Sequence, residues 1–194
     1  MLHNSLFQRL VSNSFSPDYK QTKIKEEYFP SFVYENSIIE CRVVDLPVVS
    51  KFPSSSDDEW ENYRHFGLRS ADAYLLVYDL STPSSFHFIQ CTRDQIAMSR
   101  GLGEVPIVVA ANKMDLVHED LTQDSEKDLP KTKNDFSSKV KKAWKLNHVE
   151  CSAKYNLNVN TLFRELGAEI LAGRTGKSGV HSGVQKRKCC LVCI

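Results

Sequence analysis

Apolar positions recur along this chain at two spacings. Leu6, Phe7, Leu10 and Val11 fall on one face of a helix over residues 4–13, with Asn4 or Ser5 as its cap. Residues 29–34 and 38–44 read as strands, and the turn Glu35-Asn36-Ser37 makes them an antiparallel hairpin. A polar loop at 54–59 leads into a helix carrying Trp60 and Tyr63. Residues 73–78, 106–110 and, more weakly, 148–151 are apolar runs of strand length. Such runs fit parallel strands covered on both faces. Helices lie between them: one marked by Phe86, Ile89, Arg93 and Ile96, one by Phe136, Val140 and Trp144, and a last by Val159, Leu162, Phe163, Leu166 and Ile170. The alternation predicts an α/β fold.

The 194 residues amount to about one domain, and 41% hydrophobic with 25% charged residues is ordinary for a globular chain. This excludes a wholly disordered chain, a collagen and a coiled coil. The apolar runs are far short of the ~20 residues of a membrane-spanning helix, and the opening Met1-Leu2-His3-Asn4-Ser5 shows no secretory signal. Three cysteines (41, 91, 151) are scattered and three (189, 190, 193) crowd the end. Neither a disulfide framework nor a metal spacing emerges, which predicts an intracellular chain with reduced thiols. Charge is uneven: residues 173–194 hold five bases and no acid, so a net +1 divides into +5 there and −4 in residues 1–172. That balance argues against nucleic-acid binding and suits a membrane-proximal tail. The expected organisation is a domain over 1–172, with a charged, solvated extension at 117–133, and a flexible, basic, cysteine-rich tail over 173–194.

Two motifs carry chemistry. Asn112-Lys113-Met114-Asp115 follows an apolar strand. A carboxylate at the Asp115 position accepts two hydrogen bonds, from a guanine ring N–H and its exocyclic amine; adenine offers no such pair. The Asn112 amide suits the base edge and neighbouring loops, and the Lys113 stem suits the ring face. Alone, this set is equally a polar turn after a buried strand. Glu150-Cys151-Ser152-Ala153-Lys154 also ends a strand. A backbone N–H near Ala153 suits guanine O6, and Ser152 suits a partner for Asp115. Alone, it is equally a strand-to-helix turn with a serine cap. Both stand at strand C-termini, where open α/β sheets bind ligands.

With these motifs and the run Ala73-Tyr74-Leu75-Leu76-Val77-Tyr78-Asp79, the chain resembles the Ras superfamily of small GTPases from about Asn4 to Ile170. Asp45-Leu46-Pro47, Phe52-Pro53, Trp60 and Gly67-Leu68-Arg69-Ser70 look closest to the Ras-like family-ten branch. The resemblance implies a three-layer sandwich with a mostly parallel sheet, and a switch that binds GTP or GDP with Mg²⁺ in signal transduction. It assigns nucleotide binding to Asn112, Lys113, Asp115, Ser152, Ala153 and Lys154, with Phe15 edge-on against the base. It assigns Mg²⁺ contacts to Thr22 and Asp45, and effector contacts to residues 22–28, from Thr22 to Tyr28.

The chain departs from that pattern in two places. The Gly-x-x-x-x-Gly-Lys-Ser/Thr loop that wraps the phosphates is absent where the resemblance would end it, at Met1–Ser5. Gly176-Lys177-Ser178 lies in the glycine-rich tail, with no strand before it. The first central strand, between those at 38–44 and 73–78, is therefore expected to be missing. Unpaired buried backbone groups cost about 1–3 kcal/mol each, against a total stability of about 5–15 kcal/mol. Second, Val48 and Val49 follow Asp45-Leu46-Pro47 where the family has a glycine and a water-orienting glutamine. No catalytic residue is assigned, and hydrolysis is expected to be weak or absent. The expected function is an impaired GTPase switch; the alternatives are a pseudo-GTPase interaction module and a non-functional truncated product. The tail, with Lys186-Arg187-Lys188 before Cys189 and Cys190, resembles a lipidated anchor for the inner membrane surface, although a prenylation box would need cysteine at 191.

Overall fold

The computed structural model describes residues 2–17, 22–35, 37–63, 66–101, 103, 105–119, 135–174 and 185–194. The expected extension at 117–133 lies outside these residues beyond Glu119, as does the tail segment with Gly176-Lys177-Ser178.

Helix α1 (Leu2–Ser12) opens the chain, and its Leu6 and Phe7 are fully buried. Strand β1 (Glu26–Tyr28), absent from the sequence expectation, and β2 (Ser31–Tyr34) both pair antiparallel with β3 (Ser37–Asp45). Tyr34 opposite Ser37 closes the expected hairpin. A short α2 (Ser56–Asn62) starts at Ser55, whose Oγ accepts from the Asp58 N–H, and carries three acidic residues in its first turn. In β4 (Ala73–Asp79) all seven residues are buried, as a strand covered on both faces requires. Pro83 opens α3 (Pro83–Arg100), where its fixed φ suits a helix start, and Gly101 with φ +87° ends it. Strand β5 (Ile107–Asn112) runs parallel to β4, and α4 (Met114–Glu119) follows after one residue.

The helix expected on Phe136, Val140 and Trp144 is α-helical over 135–138 and then widens to π-helical turns in α5 (Lys139–Trp144). There the Phe136 and Trp144 rings stack on Phe86, with centroids 4.0 and 5.5 Å away. Arg93 lies beside the buried face of α3 with its guanidinium over Trp144. Strand β6 (Asn147–Glu150) and α6 (Val159–Arg174) complete the expected alternation.

The tail corrects two expectations. Residues 185–193 are not flexible: they form β7 (Gln185–Cys193), inserted parallel between β3 and β4. The sheet order is β1-β3-β7-β4-β5-β6, with β2 also on β3. The position expected to lack a strand is filled by the far end of the same chain. Nine residue pairs from Ser37↔Gln185 to Asp45↔Cys193 match β7 to β3, and Ala73↔Leu191 to Leu75↔Cys193 match it to β4. Ile194 extends the ladder, donating to the Leu75 carbonyl and accepting from the Val77 N–H. The Asp72 carboxylate accepts from the Cys190 N–H at 2.8 Å. Backbone groups that would otherwise be orphaned inside the sheet are thus paired. Helix α6 runs to Arg174.

The register also overturns the expectation of reduced thiols throughout. Cys41 and Cys189 are cross-strand neighbours with Cα atoms 4.8 Å apart, and they form a disulfide. Cys91, Cys151, Cys190 and Cys193 are free.

Two apolar layers flank the sheet. On one side α1 and α6 cover Ile39, Cys41, Val43, Leu75, Val108, Cys189, Leu191 and Cys193. On the other Phe86, Ile89, Ile96 and Val140 cover Val44, Tyr74, Leu76, Tyr78, Val109, Val192 and Ile194. Strand alternation places successive β7 side chains in opposite layers. No helix among the described residues is long and apolar enough to cross a membrane.

Candidate functional site

The C-terminal ends of β4, β5 and β6 open onto one rim, where two loops meet. Asn112, the last residue of β5, is 1% exposed. Its Oδ1 accepts from two backbone donors, Lys113 N–H at 2.8 Å and Ala153 N–H at 3.1 Å. One side-chain oxygen thereby ties the 112–115 loop to the 151–154 loop. A main-chain bond from Met114 N–H to the Cys151 carbonyl, 3.1 Å, seals the same junction. Lys113 sits at φ +63°, a left-handed conformation that costs a non-glycine residue about 1–2 kcal/mol. The Asn112 bond to its N–H holds it there, and the sharp turn delivers Asp115 into the first turn of α4.

Asp115 is 8% exposed, and Ser152 Oγ donates to its Oδ1 at 2.6 Å. Ser152 is fully buried, and its Oγ accepts from the Tyr155 N–H at 3.2 Å. The carboxylate therefore has a fixed orientation, and with about four lone-pair sites it retains room to accept two further N–H donors. Lys113 Nζ does not lie idle on the rim: it pairs with Asp79 Oδ2 at 2.8 Å, at the end of β4. Burial opposes ionisation of Asp79, but Lys113 and the Ser81 hydroxyl and N–H outweigh it and hold the carboxyl below the usual range. Lys154 is exposed, with Nζ 4.7 Å from the Tyr155 ring centre.

Phe15 is half-buried against the α1–α6 core. Arg9 of α1 places its guanidinium 6.0 Å from that ring's centre and donates from Nε to the Ala153 carbonyl and from Nη2 to the Lys154 carbonyl, both at 2.9 Å. Arg9 and Asp79 were not singled out in the sequence. Asp79 ends the quoted run 73–79, which places it level with Asn112; nothing in the local pattern of α1 distinguishes Arg9 from a solvated base.

The second group lies at the end of β3. Asp45 is fully buried, and the buried Thr22 Oγ1 donates to its Oδ2 at 3.4 Å. The hydroxyl and carboxylate are hard oxygen donors of the kind Mg²⁺ takes. Between this group and β4 lies β7, with Cys193 directly across from Asp45 on one side and from Leu75, four residues before the end of β4, on the other. Its upper end brings Leu191, Val192, Cys193 and Ile194, all apolar and buried, and no cation. Of the two residues following Pro47, Val48 is exposed and Val49 buried.

Cys189 and Cys190 lie within β7 and away from this rim. Cys189 is buried and disulfide-bonded, and Cys190 is half-buried with its thiol pushed up mainly by burial. The expectation of lipid attachment there does not hold in this conformation, because neither side chain is on a free tail.

Comparison with known proteins fits the arrangement. A model of the Ras family matches residues 3–172. The human Ras-like protein family member 10B is 34% identical over 165 residues, 84% of this chain and 77% of its own length. The mouse Ras-like protein family member 10A is 32% identical with the same coverage, and Ras-like protein 2 of Drosophila melanogaster is 27% identical over 95% of this chain and 88% of its own. With the family model spanning most of the chain and a relative 34% identical over 84% of it, the chain belongs to the Ras family.

Proposed function

We propose that this chain is a guanine-reading member of the Ras signalling switches whose handling of the phosphates is impaired. The observation that carries this reading is the hydrogen-bonded junction of Asn112, Asp115, Ser152 and Ala153. There the Asp115 carboxylate, oriented by Ser152, meets the ring N–H and amine of guanine, while adenine presents no matching donors. Discrimination of this kind works by leaving a buried polar group unpaired with the wrong base, an asymmetry of about 1–3 kcal/mol per group.

The donor chemistry fits a guanine base, and Thr22 with Asp45 fits Mg²⁺. It does not fit a polyphosphate. Anion binding in such folds draws on successive backbone N–H groups and a lysine at the end of the central strand. Here that strand is β7, whose last residues Leu191, Val192 and Cys193 are apolar and buried, and its backbone groups are engaged in the ladder with β3 and β4. No hydrolytic step is assigned, and valines at 48 and 49 offer no polar group to orient a water.

Contact with effector or regulator proteins falls to residues 22–28. Ile24 in that segment is 72% exposed, and Phe29 and Val33 just beyond it are 71% and 68% exposed, an apolar series that supports a protein-binding role independent of catalysis. Calorimetric titration with GDP–Mg²⁺ and ADP–Mg²⁺ tests the base reading. Measurable GDP binding that Asp115→Ala abolishes, with no ADP binding, is expected; equal affinity for the two nucleotides would refute it.

A further inference from the structure

We infer that Arg9 is a positioning residue for the base pocket: it grips the carbonyls of Ala153 and Lys154 and thereby aims the intervening peptide N–H at the O6 edge of a bound guanine. This rests on the guanine reading above and names a residue that the motif-based reading did not include.

Arg9 stands on the third turn of α1, and its guanidinium reaches three backbone carbonyls. Nε donates to Ala153 O and Nη2 to Lys154 O, each at 2.9 Å, and Nη1 donates to Asn13 O at 2.7 Å. The planar fork holds these carbonyls in one fixed arrangement, which a lysine ammonium cannot reproduce. The Ala153 carbonyl and the Lys154 N–H belong to one trans peptide, so they point in opposite directions. Fixing the carbonyl toward α1 therefore fixes the Lys154 N–H away from it. The Ala153 N–H is held separately by Asn112 Oδ1, at 3.1 Å. Asn112 and Arg9 thus set the two peptide planes on either side of Ala153.

The same guanidinium orders the other wall. Its bond to Asn13 O closes the end of α1, where Asn13 takes φ +50°, and the chain turns there toward Phe15. The Phe15 ring lies 6.0 Å from the guanidinium carbon. One side chain therefore spaces the loop bearing Ser152–Lys154 from the aromatic that flanks the base. Sequence separation explains why no local motif reveals it: the contacts span 144 and 145 residues.

The test is a residue-by-atom cycle on the full chain with Mg²⁺. GDP is compared with 6-thio-GDP, which keeps both donors for Asp115 but replaces O6 by sulfur, a weak acceptor. Arg9→Ala should weaken GDP binding about tenfold, the size of one lost hydrogen bond, and leave 6-thio-GDP nearly unchanged; Arg9→Lys should fall between. Equal losses for both ligands, or none for either, would overturn the assignment. A second readout needs no nucleotide. Amide exchange measured by NMR should speed up at 152–155 in Arg9→Lys while β4 and β5 keep their protection. Unchanged exchange at 152–155 would overturn the clamp. A native chain that binds neither diphosphate would instead defeat the base reading, with the exchange data still deciding the role of Arg9.

Discussion

Ser152 shows how much of the site hangs on single polar atoms. Its hydroxyl donates to Asp115 and accepts from Tyr155 in a fully buried setting. Ser152→Ala leaves a buried carboxylate short of a partner. It should lower unfolding free energy by about 1–3 kcal/mol, read by urea denaturation without nucleotide. No change would mean that the carboxylate is positioned by something else. A second residue-scale effect concerns pH. Hydrogen bonds from Arg42 and then Lys25 pull the Glu27 carboxyl down to about 2, well below the ordinary glutamate range. Its folded pKa is depressed, so its contribution is complete above about pH 4.5 and disappears as pH falls through about 2. The pair is partly exposed, so the contribution is below about 1 kcal/mol. The melting-temperature gap between the native chain and Glu27→Gln should close over that interval. A gap constant across it would contradict the ion pair. At this scale the motif residues were legible because their chemistry is local: a carboxylate three residues after an asparagine, and a serine ending the next strand. Arg9 was not, because its partners lie on a loop more than 140 residues away.

At the scale of elements, the tail strand carries the strongest claim. Leu191 is fully buried between α1, α6 and the neighbouring strands. Leu191→Ala should cost about 2–5 kcal/mol, measured as a shift of the urea midpoint. A tail outside the sheet would make the same substitution neutral. Most helices and strands were legible from apolar spacing alone. β7 was not, although Cys189 to Ile194 is a short apolar run of the kind that suits a buried strand. The basic residues before it and the glycine-rich stretch preceding them describe a solvated tail equally well. What selects the strand is a partner: two parallel edges, β3 and β4, with unpaired backbone between them. No local pattern records that vacancy. β1 escaped notice for a related reason, since three residues are too few for periodicity. The π-helical turns of α5 escaped because the i, i+4, i+8 spacing says only which side is apolar, and packing against Phe86 sets the winding.

Across the whole molecule, one sheet joins two sites with opposite fates. Its β5–β6 half ends in two loops cross-linked by Asn112 and Ser152, the base site proposed above. Its β3–β4 half is joined by β7, which completes the core, satisfies the ladder and places apolar side chains between the end of β3 and residues 73–77 of β4. The same insertion that stabilises the fold brings no cation at its Leu191–Ile194 end, which supports the proposed impairment of phosphate binding. Recognition of the base and capture of the phosphates, which ordinarily act together in such a fold, are therefore expected to be separable in this chain. Titration of the native chain with guanosine and with GDP–Mg²⁺, using adenosine as control, measures them apart. The account predicts that guanosine and GDP bind within about tenfold of each other, a difference of no more than about 1.4 kcal/mol, and that adenosine does not bind. GDP binding tighter than guanosine by several orders of magnitude would contradict impaired phosphate binding, and adenosine binding as well as guanosine would contradict the base site.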